Sequence, residues 1–130
     1  MKLTGLISPN FSEDTLEDVY KVFPPGIRIE GRTLKVEKYT DDEFRRAEMM
    51  LADLLRDLAR HPLDFLMSTG ELFLSYKGPG SDLEILDLVK TITAVPASTV
   101  LTAVVRGCHA LELKRISWLR RFPKIRMSAW

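Results

Sequence analysis

Short apolar runs and longer amphipathic stretches alternate along this chain from its first residues. That is the pattern of a parallel sheet whose strands are joined by crossover helices. Leu3 to Ile7 reads as a buried strand. Phe11-Ser12-Glu13-Asp14-Thr15-Leu16 reads as a helix start, with Ser12 as its cap and Phe11 stapled onto Leu16, and the helix stops before Pro24-Pro25-Gly26. Between Ile27 and Val36, the residues Ile27, Ile29, Leu34 and Val36 stand against charged neighbours, which predicts a strand near the sheet edge, interrupted around Gly31. Thr40-Asp41-Asp42-Glu43 is a capping box. The helix it opens repeats apolar residues at Phe44, Ala47, Leu51, Leu54, Leu55 and Leu58, so one of its faces is core. His61-Pro62 ends it, and Leu63 to Met67 is an apolar run of strand length. After the turn Gly78-Pro79-Gly80, a second box, Ser81-Asp82-Leu83-Glu84, starts a helix through Ile85, Leu88, Val89 and Ile92. A further helix is expected from about Ser98 to Leu111, and Lys114 to Ser117 is expected to begin a fourth strand. The fold class is therefore α/β, a three-layer αβα unit with a four-stranded parallel sheet of Rossmann-like or flavodoxin-like kind.

Composition narrows the function classes. With 130 residues and 45% hydrophobic side chains, the chain has material for one α/β domain. The start has no secretory signal pattern, and the longest charge-free stretch, Thr91 to Val105, is broken by Pro96 and too short to span a bilayer. The single cysteine, Cys108, forms no internal disulfide and fits a reducing, cytoplasmic setting. Residues 1–113 carry 13 basic against 18 acidic side chains, which argues against a nucleic-acid-binding body. The last 17 residues reverse the sign, with six cations and no acid.

In an open parallel sheet, ligands bind beyond the carboxyl ends of the strands. The loops there are Ser8 to Ser12, Ser68 to Gly78 and the turn before Ser98, and all three are rich in hydroxyl groups. Ser8, Asn10, Ser12, Ser68, Thr69, Ser75, Tyr76, Ser98 and Thr99 offer donors, and helix starts at Ser12, Ser81 and Ser98 add unpaired amides, which suits a small carboxylate. The competing reading is that these residues only cap helices and make turns, and Glu13 and Asp14 at the first helix start favour it. His61 and His109 stand far apart with no metal-ligand spacing around them, so no metal site is expected. Cys108 reads as a packed or surface thiol, and no glycine-rich phosphate loop is present.

Four motifs in register change the picture: Gly5-Leu6-Ile7-Ser8-Pro9, Phe23-Pro24-Pro25-Gly26, Lys77-Gly78-Pro79-Gly80-Ser81-Asp82, and Val95-Pro96-Ala97-Ser98-Thr99 through Thr102-Ala103-Val104-Val105. Together they resemble the maleate isomerase and arylmalonate decarboxylase branch of the aspartate/glutamate racemase superfamily, from residue 2 to about residue 117. The resemblance implies one half of a two-domain fold in which two similar α/β domains face each other across a cleft. It implies racemase, isomerase or decarboxylase chemistry on small mono- or dicarboxylates with no metal or organic cofactor. The first-domain cysteine of the racemases and isomerases falls at Ser68, so the Ser68-Thr69-Gly70 loop is similar to the decarboxylase version, where a hydroxyl and backbone donors stabilise an enediolate. The resemblance implies Ser68 as the catalytic position and Ser8, Asn10, Ser12, Ser68, Thr69, Gly70, Ser98 and Thr99 as the substrate-binding residues. The loop after Ser68 is longer than in either group, and the asparagine of the isomerases falls at Ser12, which leaves the exact reaction open.

The second-domain cysteine of that family has no counterpart here, so residues 1–117 are expected to hold a carboxylate half-site without turnover. An exposed apolar face is then expected to drive homo-oligomers. Two readings from other classes stand beside this one. The first is a non-catalytic carboxylate-binding or regulatory α/β module, active as a homodimer. The second is a basic arm from Lys114 to Trp130, with Trp118 and Trp130, that binds nucleic acid or an acidic membrane surface. Neither nucleic acid nor membrane is expected as a partner on the first reading. Residues 118–130 are instead expected to be an aberrant tail produced by a single-base frameshift. Permitted codons for this tail, with one base restored ahead of Trp118, spell Val-Val-Thr-Pro-Phe-Pro-Lys-Asp-Pro-Asn-Glu-Arg-Leu, which resembles the way the family continues. The gene decides this: the frame one base away from Ser117 should run on through a second α/β domain with a cysteine, and an early stop in that frame would refute the expectation.

Overall fold

The computed structural model describes residues 1–117. The order is β1 (Lys2–Ser8), α1 (Glu13–Val22), β2 (Ile27–Thr33), α2 (Asp41–Leu58), β3 (Phe65–Ser68), α3 (Glu71–Ser75), α4 (Ser81–Ile92), β4 (Ala97–Thr99) and α5 (Val100–Ala110). The four strands form one sheet in the order β2-β1-β3-β4, and every pair is parallel. The chain thus builds outward from β1 to β2, then returns to the other side of β1 with β3 and β4. The direction of growth reverses between β1 and β3, the place in such a sheet where a crevice is expected at the strands' carboxyl ends.

The expected helix α2 forms as read. Thr40 caps it, its hydroxyl accepting from the Glu43 amide at 3.3 Å, while the Glu43 carboxylate reaches back to the amide of Glu37 rather than closing a reciprocal box. Its stripe of Phe44, Ala47, Leu51, Leu55 and Leu58 is buried. That stripe meets Ile7 and Leu66 of the sheet, Leu34 and Val36 beyond β2, Phe73 and Leu74 of α3, and Ile85 and Val89 of α4, in one continuous core. Each fully buried aliphatic side chain there contributes about 1.5–3 kcal/mol.

The two faces of the sheet are covered unequally. A Cβ on Gly5 would meet Leu58 and Leu63, whereas a Cβ on Gly31, one register position further and so on the opposite face, would meet the Phe11 ring at 2.3 Å. α2 therefore lies on one face and the start of α1 on the other. Neither α1 nor α5 buries a single residue completely, and Val104, Val105, Leu111, Leu113 and Ile116 are exposed. Ser12 caps α1 as expected, accepting from the Thr15 amide.

Four expectations are corrected. The fourth strand is Ala97–Thr99, and Lys114 to Ser117 is not a strand. The stretch after β3, expected as loop, contains the one-and-a-half-turn helix α3. β2 runs through Gly31 without interruption, because that glycine makes room for Phe11 instead of breaking the strand. The caps of the last two helices also shift. Gly80, at φ +85°, caps α4, while the Ser81 hydroxyl turns back to donate to the Leu74 carbonyl, and Thr99 caps α5 in place of Ser98. The expected tail 118–130 lies outside the described residues.

Two ionic networks tie the layers together. Arg32 of β2 donates to Glu30 and to Asp57 of α2, both at 2.7 Å. Glu48 of α2 accepts from Tyr76 and Lys77 at the end of α3, and Lys77 also reaches Glu84 of α4. The Arg32 hydrogen bonds hold the carboxyls of Glu30 and Asp57 below their ordinary values. Burial pushes Glu48 up, but the hydrogen bonds from Lys77 and Tyr76 together outweigh it and leave its value lowered. Burial first, and Glu48 second, push the Tyr76 hydroxyl up to about 12.

A carboxyl with a depressed folded pKa adds stability above its unfolded value, 4.5 for glutamate, and that stability is lost as pH falls through the lower folded value. A phenol with a raised pKa adds stability below 10, lost as pH rises toward about 12. The urea midpoint should therefore be level between about pH 6 and 9 and fall on both sides. Tyr76→Phe should remove its share of the alkaline fall, and a midpoint unchanged down to about pH 3 would show that the networks add nothing.

Candidate functional site

The crevice at the reversal point is built by a close approach of two loops. The Thr69 amide, just past β3, donates to the Ile7 carbonyl of β1 at 2.9 Å. Gly70 follows at φ +93°, and a Cβ there would stand 2.2 Å from Pro9, so the two loops meet only because position 70 carries no side chain. Beside this contact lies a cavity of about 190 Å³. Ser8, Pro9 and Asn10 line it from the β1 side, Gly70 to Phe73 from the β3 side, and Tyr39 and Phe44 from the start of α2.

Of the residues expected to bind substrate, Ser8, Asn10 and Gly70 meet at this cavity. The Ser8 hydroxyl donates to the Asn10 carbonyl at 3.0 Å, which sets the turn. Ser12, Ser68, Thr69, Ser98 and Thr99 are not in the lining. Ser12 is engaged as the α1 cap. The Thr69 hydroxyl lies 3.4 Å from the Ile7 carbonyl, and the buried Ser98 hydroxyl donates to the Thr99 carbonyl. Thr99 is completely buried; its hydroxyl accepts from the Thr102 amide and donates to Asp82 at 2.9 Å. For these residues the capping and turn roles weighed above are the ones the geometry displays.

Ser68 is different. It ends β3 between Ile7 of β1 and Thr99 of β4, it is 1% exposed, and its hydroxyl is the one buried side-chain polar atom among the described residues without a hydrogen-bond partner. Such an orphan is uncommon, since buried polar groups are nearly always paired.

Reading the sequence missed three features. Tyr39, Phe44 and Phe73 make an aromatic wall, with Phe44 edge-on to Phe73 at 6.1 Å and tilted against Tyr39 at 6.4 Å. Phe44 had been assigned to the core, and nothing in the spacing of the three shows that they converge. Asp82, read as part of a capping box, is buried and accepts from both the Thr99 and Thr102 hydroxyls at 2.9 Å. Glu71 is the single charged residue of the cavity lining, so an anionic guest has only neutral donors there. Among the described residues, no three His, Cys, Asp or Glu side chains are grouped to hold a metal ion. No helix among them is long and apolar enough to cross a membrane.

Solved structures share this fold. A double mutant of arylmalonate decarboxylase in a liganded form matches with a TM-score of 0.73 at 17% identity, over 86% of this chain and 47% of that one. A cysteine-to-serine mutant of Nocardia farcinica maleate cis-trans isomerase, with a covalently bound succinylcysteine intermediate, matches at TM-score 0.70 and 14% identity, over 85% and 49%. Another arylmalonate decarboxylase structure matches at TM-score 0.65 and 22% identity, over 85% and 48%. The chain has the racemase-type α/β fold of these enzymes and spans about half their length. No family model and no curated protein matches the sequence.

The orphan hydroxyl allows a test of sign. An unsatisfied buried hydroxyl costs on the order of 1–3 kcal/mol, so Ser68→Ala should leave the unfolding free energy of the free chain unchanged or raise it by about 1 kcal/mol in urea titration. A loss larger than about 1 kcal/mol would show that the hydroxyl has a partner in the folded chain.

Proposed function

We propose that this chain supplies one half of a carboxylate-binding cleft of the arylmalonate decarboxylase and maleate isomerase type, within the aspartate/glutamate racemase superfamily, and that alone it performs no turnover. The observation that carries this reading is the meeting of Ser8, Asn10 and Gly70 around one cavity at the carboxyl ends of β1 and β3, in a fold shared with those enzymes. The Asn10 amide group faces a carboxylate, the Ser8 hydroxyl joins it by exchanging its bond to the Asn10 carbonyl for one to the guest, and the Tyr39, Phe44 and Phe73 wall takes an apolar or aryl substituent. Ser68 stands where the first-domain cysteine of the racemases and isomerases falls. Chemistry of this kind needs a group that delivers or removes a proton at carbon, and the cleft's other half provides it. The family resemblance implies a cysteine of that other half as this group. The chain is a cytoplasmic protein that uses no metal or organic cofactor, and the exposed residues Val104, Val105 and Leu111 favour association through that face.

The neutral, partly self-bonded donor set also suits a carboxylate-sensing module that never had a catalytic half. Saturable binding with a rise in melting temperature and no activity restored by a second half would distinguish it.

The test uses the purified chain with phenylmalonate, maleate and aspartate. No product should form from any of them, and phenylmalonate should shift the amide resonances of Ser8, Asn10 and Gly70 in a saturable way. Asn10→Ala should weaken that binding about tenfold, about 1.4 kcal/mol. Product formation that survives Cys108→Ser would overturn the half-site, and an absence of shifts at the cavity would overturn the carboxylate assignment.

A further inference from the structure

A second, larger concavity lies away from the crevice. β4 is an edge strand, and along its open side α4 and α5 diverge to leave a groove of about 510 Å³. This lies within the range of small-molecule sites, about 300–1,000 Å³. Leu83, Leu86 and Val89 of α4 line it together with the backbone leading into β4, and its polar lining includes Thr102 and Arg106 of α5 and Lys90 of α4. No carboxylate belongs to the lining. Lys90 is held by Asp87 at 3.0 Å in a pair about three-quarters exposed, which solvent screens. Arg106 makes no ion pair among the described residues.

We propose that this groove is a binding site for a small anion with an apolar body, a medium-chain or aryl-substituted carboxylate, whose charge pairs with Arg106 and whose body covers Leu83 and Leu86. Three observations select that occupant. The cationic rim without an acid in the lining disfavours a cation. The tail from residue 118 to 130 carries Arg120, Arg121, Lys124 and Arg126 and no acid, so like charge disfavours it as the occupant. β4 has only three residues, too few to register an added peptide strand. The Thr102 hydroxyl donates to Asp82, which also accepts from Thr99, the register neighbour of Ser68. This assignment does not rest on the function proposed for the crevice.

The test titrates the full chain with octanoate, octylammonium and acetate by calorimetry, and maps octanoate by amide shifts. Octanoate should bind at one site and shift Leu83, Leu86 and Arg106. Octylammonium, lacking the anion, and acetate, lacking the body, should each bind at least tenfold more weakly. Arg106→Glu, at an exposed position and checked by circular dichroism, should weaken octanoate at least tenfold without moving phenylmalonate binding at Asn10. Octanoate that fails to bind, binds Arg106→Glu equally, is matched by octylammonium, or shifts only Ser8, Asn10 and Gly70 would overturn the proposal. A failure here leaves the crevice reading intact, because that reading is judged by phenylmalonate at different residues.

Discussion

Everything at the carboxyl edge of this sheet depends on the contact between Pro9 and Gly70. A parallel sheet that reverses its direction of growth sends consecutive loops away from each other, and a crevice results whose walls need a fixed separation. Here the separation is set by a proline ring against a glycine with positive φ, with the Thr69 amide bonded to the Ile7 carbonyl beside it. Any side chain at position 70 meets both a steric block and a backbone that L-residues avoid. The loops would separate, the wall formed by Ser8 and Asn10 would move relative to Phe73, and the cavity would lose its definition. The resemblance pointed to Gly70 as a binding residue; physically its first contribution is to let two walls approach.

The core explains why that contact can be held. α2 presses its buried stripe onto Ile7 of β1 and Leu66 of β3, so the strands cannot slide against one another without exposing it. The Glu48, Tyr76, Lys77 and Glu84 network then ties the segment after α3 to α2 and α4. The side of the sheet that carries Phe11 has no comparable anchor, since α1 buries no residue completely. The rigid part of the molecule is thus the layer that shapes the cavity. The exposed valines and leucines at the end of α5 mark the part best suited to accept a neighbour.

How much of this was legible depended on how much of each element's signal is local. α2 was readable because eighteen residues repeat one apolar stripe behind a Thr40 cap. β4 was not, because a three-residue strand of Ala97, Ser98 and Thr99 after a proline has no apolar run, and only its pairing with β3 makes it a strand. Its hydroxyls read as a helix start, which is half right, since Thr99 ends the strand and caps α5 in the same residue. α3 was hidden for a similar reason: five residues carry no period, and Phe73 and Leu74 are defined by burial rather than by pattern. For the site, strand order told which loops would matter. Which polar residues line the cavity is a tertiary result, and it separated Ser8 and Asn10 from Ser12, Ser98 and Thr99. Asp82 was legible only as a capping residue, because its partners lie seventeen and twenty residues away.

The charge balance of the cavity constrains how a carboxylate could sit there. Two unit charges about 4 Å apart repel by about 4 kcal/mol at an effective dielectric of about 20. A guest carboxylate placed against Glu71 would meet a repulsion of that order, and the lining offers no cation to offset it. The favourable arrangement turns the carboxylate toward Ser8 and Asn10 and leaves the substituent to the aromatic wall, with any donor group of the guest directed at Glu71. Neutral dipoles bind a ground-state carboxylate only modestly in competition with water, whereas fixed donors gain most where charge develops during a reaction. On the proposed reading such a cavity binds a carboxylate weakly alone and gains most as one wall of a closed site. That asymmetry is why the half-cleft reading, with its proton-transferring group on the opposite wall, accounts for the donor set better than an anion receptor complete in itself.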